Sequence, residues 1–419
     1  MKKYLLLAVA LAAFVLLYQW ADSHIAVTEK WIQEKYSVYT GYGMKTENRK
    51  AVLVSSFQME KRVMEMEEAK KLALKKQEEE QKQDAFLNAC IQEMTLEEKI
   101  SQLMILTNER DIAEENLRKE QPGGIILFDA DFNGKTIDEI TKRIDLLQSY
   151  MKYPLFVGVD EEGGEVSRVD GLLNKEISEF ASARQLGNTA DWNALTDETT
   201  RKARLLASMG INLNFDPVAD IVTEKNAYMY ERSAGSDAKT VSAYVAAVLQ
   251  AMEHENIMGC LKHFPGYGNN GNTHRGYIMD KRKLQSYRES DFIPFQTGIE
   301  NGADMIMVSH LVMGAVDRKN PASLSVKVHE LLRDELAFDG VIIADDLNMQ
   351  AVLSHMTLEE ASGKAIAAGN DMIFSADFAV SQKGILDAIE EGTVTKEQID
   401  ISTKRVLRMK LEHNLLTME

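Results

Sequence analysis

The chain has 419 residues, 45 % of them hydrophobic, enough to bury the core of one large domain or of two to three ordinary ones. Its formal net charge of −17 argues against nucleic acid as the main partner, because phosphate binding calls for a basic surface. The two cysteines, Cys90 and Cys260, sit in apolar or helical surroundings with no Cys-x-x-Cys or His/Cys cluster, so two buried thiols are expected and no disulfide, metal or cofactor.

In chain order, Lys2 and Lys3 precede an uncharged run from Tyr4 to Ala21. About 17–20 apolar residues can span a bilayer, so residues 1–23 read as a signal or anchor segment. No Ala-x-Ala site closes the run, and Gln19, Trp20 and Asp22 follow it, which favours an uncleaved anchor. The leading lysines place the N-terminus in the cytoplasm and everything after the run outside. Residues 24–94 are expected to be a helical spacer. From Met59 to Gln83 the composition is almost entirely Glu, Lys, Gln, Met, Ala and Leu. The apolar positions Met59, Val63, Met66 and Ala73 hold a heptad seam only until Lys70 interrupts it, so a solvated helix is favoured over a lasting coiled coil.

A capping box, Thr95-Leu-Glu-Glu98, opens the globular part, residues 95–419. Apolar runs then alternate with amphipathic helices. The runs are Gly124–Phe128, Leu155–Val159, Ile211–Phe215, Met258–Leu261, Met305–Val308, Val341–Ile343 and Met372–Phe374. Between two of them Ile137, Ile140, Ile144 and Leu147 recur at helical spacing behind Thr136 and Glu139, and further helices are read at Val241–Met252, at Val326–Leu336 and after the capping box Thr357-Leu-Glu-Glu360. Fully apolar strands separated by helices imply a parallel sheet covered on both faces. The fold class predicted is α/β, a (β/α)8-like TIM barrel, irregular because no eighth strand is apparent. Neither GxGxxG nor GxxxxGK[ST] follows a strand, which leaves dinucleotide and P-loop sites unsupported.

Polar groups close nearly every run: Asp129, Asp160-Glu-Glu-Gly-Gly164, Asp216 and Asp220, Lys262-His263, Ser309-His310, Asp345-Asp346, and Ser375 with Asp377. One such aspartate is usually a helix N-cap, but in a barrel these positions converge on the mouth where chemistry is done. The longest irregular stretch runs from Lys262 to His274, with three glycines, three asparagines and a proline between its end groups. That composition favours turns, so a buried strand is expected to stop at His263 and a loop to carry His274 back near the strand end.

Many acids with few histidines suit cleavage of a glycosidic bond, which needs a carboxylate to meet the positively charged sugar carbon and an acid to protonate the leaving oxygen. Asp345, at the end of Val341-Ile-Ile-Ala344, is the best carboxylate, whereas Asp346 would face the other way and cap or pair. His274 suits the acid, since an imidazole exchanges protons near neutral pH without deep burial. His310 reads as a satisfied core histidine. No His-x-His pair lies at the first strand, so a metal-dependent barrel hydrolase is disfavoured.

These residues carry a resemblance. Met94-Thr-Leu-Glu-Glu-Lys99, Val159-Asp-Glu-Glu-Gly-Gly164 through Arg168, Asn212–Asp220, Arg232-Ser233, Lys262-His-Phe-Pro-Gly266, Pro321-Ala-Ser-Leu-Ser325, Ala344-Asp-Asp-Leu-Asn-Met349 and Ser402 with Arg405 occur in this order. From about Thr95 to Leu416 the chain resembles glycoside hydrolase family 3, above all its single-domain bacterial β-N-acetylglucosaminidases. The resemblance implies a retaining, two-step mechanism in which Asp345 is the nucleophile and His274 the acid/base. It implies that Asp160, Arg168, Arg232, Lys262 and His263 bind the terminal sugar. The expected partners are an N-acetylglucosamine-containing glycan of peptidoglycan type and, through the anchor, a membrane of the bacterial envelope; no obligatory protein partner is expected. The triplet Asn272-Thr273-His274 departs from the family's Asp-Ser-His pattern and sits on a shorter loop. Asn272 can hydrogen-bond the imidazole but brings no charge to stabilise its protonated form. Two alternatives therefore stand beside hydrolysis: an envelope-anchored glycan-binding protein with weakened catalysis, and a phosphorolytic enzyme.

Overall fold

The structure, a computed structural model, describes residues 46–107, 113–173, 179–189, 191–273 and 276–418. The expected anchor over residues 1–23 and the candidate acid/base His274 lie outside these residues. Among the described residues no helix is long and apolar enough to cross a membrane.

The chain divides into two units, Met1–Gln81 and Lys82–Glu419. What is described of the first is helical, part of a helix spanning Thr46–Glu93. Met64, Met66, Leu72 and Leu74 stand exposed on it, and Lys61–Glu65 and Lys76–Glu80 pair at four-residue spacing. Such pairs support a solvated helix by only a few tenths of a kcal/mol each. Beyond Lys82 the helix becomes part of a core: Leu87, Ile91 and Met94 bury against Tyr153, Leu407 and Leu411. There Arg408 donates to Asp84 at 2.7 Å.

The second unit is an α/β barrel. Its strands are β1 (Met104–Leu106), β2 (Gly124–Leu127), β3 (Phe156–Val159), β4 (Leu213–Asn214), β5 (Met258–Phe264), β7 (Met305–Val308), β9 (Val341–Ala344) and β10 (Ile373–Ser375), all parallel in the order β10-β1-β2-β3-β4-β5-β7-β9. One parallel bridge, Ile343 to Met372, joins β9 to β10 and nearly closes the ring. A separate parallel pair, β6 (Ile278–Asp280) and β8 (Leu311–Met313), holds the far end of the loop that follows β5.

The capping boxes form as the sequence specifies. Thr95, Thr136 and Thr357 accept from the backbone of Glu98, Glu139 and Glu360, whose carboxylates reach back to the threonine N–H. Each cap is worth roughly 1 kcal/mol. Ile140, Ile144 and Leu147 are the buried stripe of helix Ile137–Gln148. The helix starting at Val326 changes at Leu331 to a π turn that ends at Glu335.

Two expectations need correcting. An eighth strand exists: β1 follows helix Leu96–Gln102 after the single residue Leu103, with no glycine, proline or asparagine to mark the break, so its apolar run merges with the helix pattern in the sequence. And β5 runs one residue beyond the expected end at His263, through Phe264, with Lys262 and His263 on the strand as expected.

Candidate active site

A cavity of about 230 Å³ opens at the C-terminal mouth of the barrel. Every barrel strand except β4 sends a residue to it, from Thr107 beyond β1 to Phe374 on β10. Six expected site residues line it together: Asp160, Arg168, Arg232, Lys262, His263 and Asp345. Asn272 is half-buried and is not among the lining residues.

Asp160 follows β3. The turn beyond it folds back on itself, with the N–H groups of Glu162 and Gly163 donating to Val166 O at 2.9 and 3.1 Å. Gly163 and Gly164 have φ of 89° and 60°, and a Cβ on Gly163 would sit 2.3 Å from the Ala181 carbonyl. Only glycine takes such φ freely and tolerates that approach, which accounts for the Gly-Gly pair in the motif. β4 contributes from behind. The Asn214 side chain accepts from Glu161 N and donates to Glu161 O, both at 2.9 Å, and so fixes the backbone between Asp160 and Glu162.

Glu162 is the electrostatic centre, and sequence reasoning assigned it no role. Its carboxylate is buried, receives Arg232 through Nε at 2.8 Å and a terminal nitrogen at 2.7 Å, and pairs with Lys262 Nζ at 2.6 Å. Burial alone would raise its pKa; the Arg232 and Lys262 charges outweigh that and hold it well below the usual carboxylate range. Lys262 also donates to Asp160 Oδ1 at 2.6 Å. Burial works against its ammonium form, yet Asp160 and Glu162 together raise its pKa above the ordinary lysine value. Of this cluster Asp160 is the most open: its side chain is 21 % exposed, against 2 % for Lys262 and Glu162.

His263 is fixed from both sides. Its Nδ1 lies 2.8 Å from Asp220 Oδ2, and its Nε2 lies 3.3 Å from an Arg232 nitrogen. Arginine can only donate, so the geometry assigns the proton to Nδ1, facing Asp220. The other Asp220 oxygen accepts from Tyr267 N at 2.7 Å. The Asp220 carboxylate thereby ties β5 to the start of the loop leading toward His274. Tyr267 and Thr273 hydrogen-bond through their hydroxyls and staple that loop internally. Burial, then the neighbouring Asp345 charge, raises the Tyr267 phenol.

Asp345 lies just past β9, its N–H donating to Val308 O on β7 at 2.9 Å. One of its oxygens accepts from Asp346 N at 2.9 Å. Asp346 caps the following turn, accepting from Asn348 N and Nδ2 at 2.9 and 2.7 Å, although it too reaches the cavity. Arg168 pairs with Asp129 at 3.1 Å, and its buried Nε has no protein partner among the described residues. Phe128 and Tyr228, each 38 % exposed, flank the mouth beneath the Arg168 and Arg232 guanidinium groups. Sequence reasoning missed both, because Phe128 reads as the end of an apolar run and Tyr228 as one aromatic of the long loop after β4.

Other strand-end groups serve structure. His310 engages Ser323 Oγ and Asp346 O through its two ring nitrogens at 2.6 and 2.9 Å. Asp377 caps helix Phe378–Glu390. Ser402 and Arg405 converge on buried Asp371, which also takes Arg333 and the N–H of Ile342 on β9. No group of three or more potential metal ligands occurs among the described residues.

A parallel barrel whose mouth gathers buried cations, an accessible carboxylate and a second carboxylate around one cavity is a hydrolase architecture suited to a small, hydroxyl-rich substrate. Residues 95–409 match the pattern described as the glycosyl hydrolase family 3 N-terminal domain, and the chain belongs to this family and is a glycoside hydrolase. It is 32 % identical over 269 residues to beta-hexosaminidase LpqI of Mycobacterium tuberculosis, covering 61 % of this chain and 68 % of that protein. It is 31 % identical over 261 residues to a beta-hexosaminidase of Chromobacterium violaceum, covering 60 % of this chain and 71 % of that one. Among solved structures, a family 3 beta-N-acetylglucosaminidase from a Paenibacillus species superposes with a TM-score of 0.71 at 28 % identity, over 78 % of this chain and 65 % of that one. The M. tuberculosis LpqI structure superposes with a TM-score of 0.69 at 27 % identity, over 76 % and 94 %.

Proposed function

We propose that the protein is a retaining exo-β-N-acetylglucosaminidase, acting outside the cytoplasmic membrane on terminal N-acetylhexosamine of peptidoglycan-type or related glycans. The observation that carries this reading is the shared cavity of Asp345, Asp160 and the Lys262–Glu162–Arg232 cluster. Its volume is below the roughly 300–1,000 Å³ of sites that enclose drug-sized ligands, which suits a single terminal sugar. Relatives named as beta-hexosaminidases or beta-N-acetylglucosaminidases support the amino-sugar substrate.

In the first step the Asp345 carboxylate attacks the anomeric carbon as its bond to the leaving oxygen breaks, and His274 gives that oxygen its proton. In the second, water attacks the same carbon, His274 takes the water proton and the Asp345 ester bond breaks, so configuration is retained. Asp160 accepts from sugar hydroxyls, while Arg168 and Arg232 donate. The apolar run over residues 1–23 supports an envelope anchor. Asn272 favours one second reading, a glycan-binding protein with weak turnover, since asparagine supplies no charge to the imidazolium.

The test is release of nitrophenol from 4-nitrophenyl N-acetyl-β-D-glucosaminide, with proton NMR of the first-formed sugar. Turnover with a β-configured first product fits the proposal. An α-configured product rules out retention, and ligand binding without turnover selects the second reading. Running the assay with and without phosphate identifies a phosphorolytic route by its sugar-phosphate product.

A further inference from the structure

We propose that Glu161, buried behind the cavity and outside its lining, is the positioning residue for Arg168. The inference rests on the glycosidase reading for its kinetic consequences and on geometry alone for the side-chain relation.

Glu161 is wholly buried, between two cavity residues of the chain. One carboxyl oxygen, Oε2, accepts three donors from a single short segment: Ser167 Oγ at 3.1 Å, Arg168 N at 2.7 Å and Val169 N at 3.2 Å. The other, Oε1, is buried without a protein partner among the described residues. Two consecutive backbone N–H groups held by one oxygen fix the peptide planes on both sides of the Arg168 Cα. The direction in which Arg168 leaves the backbone is then set before any ligand arrives. Glu161 is itself immobilised through Asn214 on β4, so a barrel strand transmits its rigidity through one carboxylate to the arginine.

The Arg168 guanidinium has few other restraints. It pairs with Asp129, whose side chain is 56 % exposed, and lies 5.9 Å from the Phe128 ring. An ion pair so open to water adds little rigidity. Without Glu161 the arginine would have to be ordered by the ligand, and that entropy would weaken binding. The carboxyl is a hydrogen-bond acceptor in a buried place: burial pushes it up to about 7, with Lys202 and the three donors offsetting part of that. Glutamine can supply the same acceptor oxygen to the three donors while leaving out the charge; alanine cannot.

The experiment uses the full chain as wild type, Glu161→Ala, Glu161→Gln, Arg168→Ala and the double variant Glu161→Ala/Arg168→Ala. Two readouts are taken: KM and kcat for the aryl N-acetylglucosaminide, and the Arg168 Nε–H signal in 15N-arginine NMR, assigned by its loss in Arg168→Ala. The expected result is KM raised about tenfold in Glu161→Ala with kcat within about twofold, largely restored in Glu161→Gln. The double variant should be no worse than Arg168→Ala, because the two residues act as one unit. Unchanged KM in Glu161→Ala, or losses that multiply in the double variant, overturns the inference. If the wild type does not turn over the glycoside, the preceding reading fails, and the NMR signal decides this one. A sharp wild-type Arg168 signal that averages in Glu161→Ala supports it, and identical signals overturn it.

Discussion

At the scale of single residues, Glu162 balances two buried cations with one carboxylate. Replacing it with glutamine leaves Lys262 facing Asp160 alone and Arg232 without its bidentate partner. Breaking a buried pair this way costs on the order of 3–5 kcal/mol, so Glu162→Gln should lower the denaturant midpoint and raise KM. An unchanged midpoint would show that Asp160 suffices. Asn272 supports a second prediction. If its missing charge limits proton transfer, Asn272→Asp raises kcat for the aryl glycoside; equal rates dismiss that role. Asp345, Asp160, Lys262 and His263 were legible in the sequence because each closes an apolar run at the end of a strand, although His310 and Asp377 close runs too and serve structure. Glu162 and Asp220 were visible as acids but not in their roles. Glu162 reaches two cations on distant segments and Asp220 orients a histidine from another strand, relations that only the closed barrel creates.

At the scale of elements, the turn from Asp160 to Val169 does the positioning. Gly163→Ala would drive a methyl into the Ala181 carbonyl at a φ of 89°. The expected cost is roughly 1–3 kcal/mol, seen as a fall of several degrees in Tm and as loss of activity greater than the unfolded fraction explains. Full activity with unchanged Tm would mean that the turn has another accessible conformation. The Gly-Gly pair was readable as a turn, but not the close approach that makes it obligatory, since Ala181 comes from a separate segment. The same limit explains β1. Only apolar Leu103 separates helix Leu96–Gln102 from the strand, and only pairing with Gly124, Ile125 and β10 makes Met104–Leu106 a strand. The capping boxes were legible because each is a contact within four residues.

At the scale of the whole molecule, the two ends of the barrel differ in charge economy. The mouth pairs its buried charges, while at the other end Lys410 is buried with Gln102 Oε1 at 2.7 Å and the Phe156 ring at 4.9 Å. Burial pushes its pKa down to about 7. Because the folded value lies below the unfolded value near 10.5, the unfolded state binds more protons between the two, and stability rises with pH across that window. Below about pH 7 both states are protonated and the penalty is complete. Lys410→Met should therefore be more stable than wild type near pH 7, by on the order of 2–4 kcal/mol. The difference should shrink toward pH 10, as measured by denaturant unfolding of both proteins. A difference independent of pH would assign the effect to packing.

The account as a whole turns on Asp345 as the carboxylate that meets the sugar carbon. The direct measurement is incubation with an activated 2-acetamido-2-deoxy-5-fluoro-glycosyl fluoride, followed by peptide mass spectrometry. The predicted result is one glycosyl adduct on the peptide containing Asp345, absent in Asp345→Asn. An adduct on another residue, during turnover that retains configuration, would contradict the account.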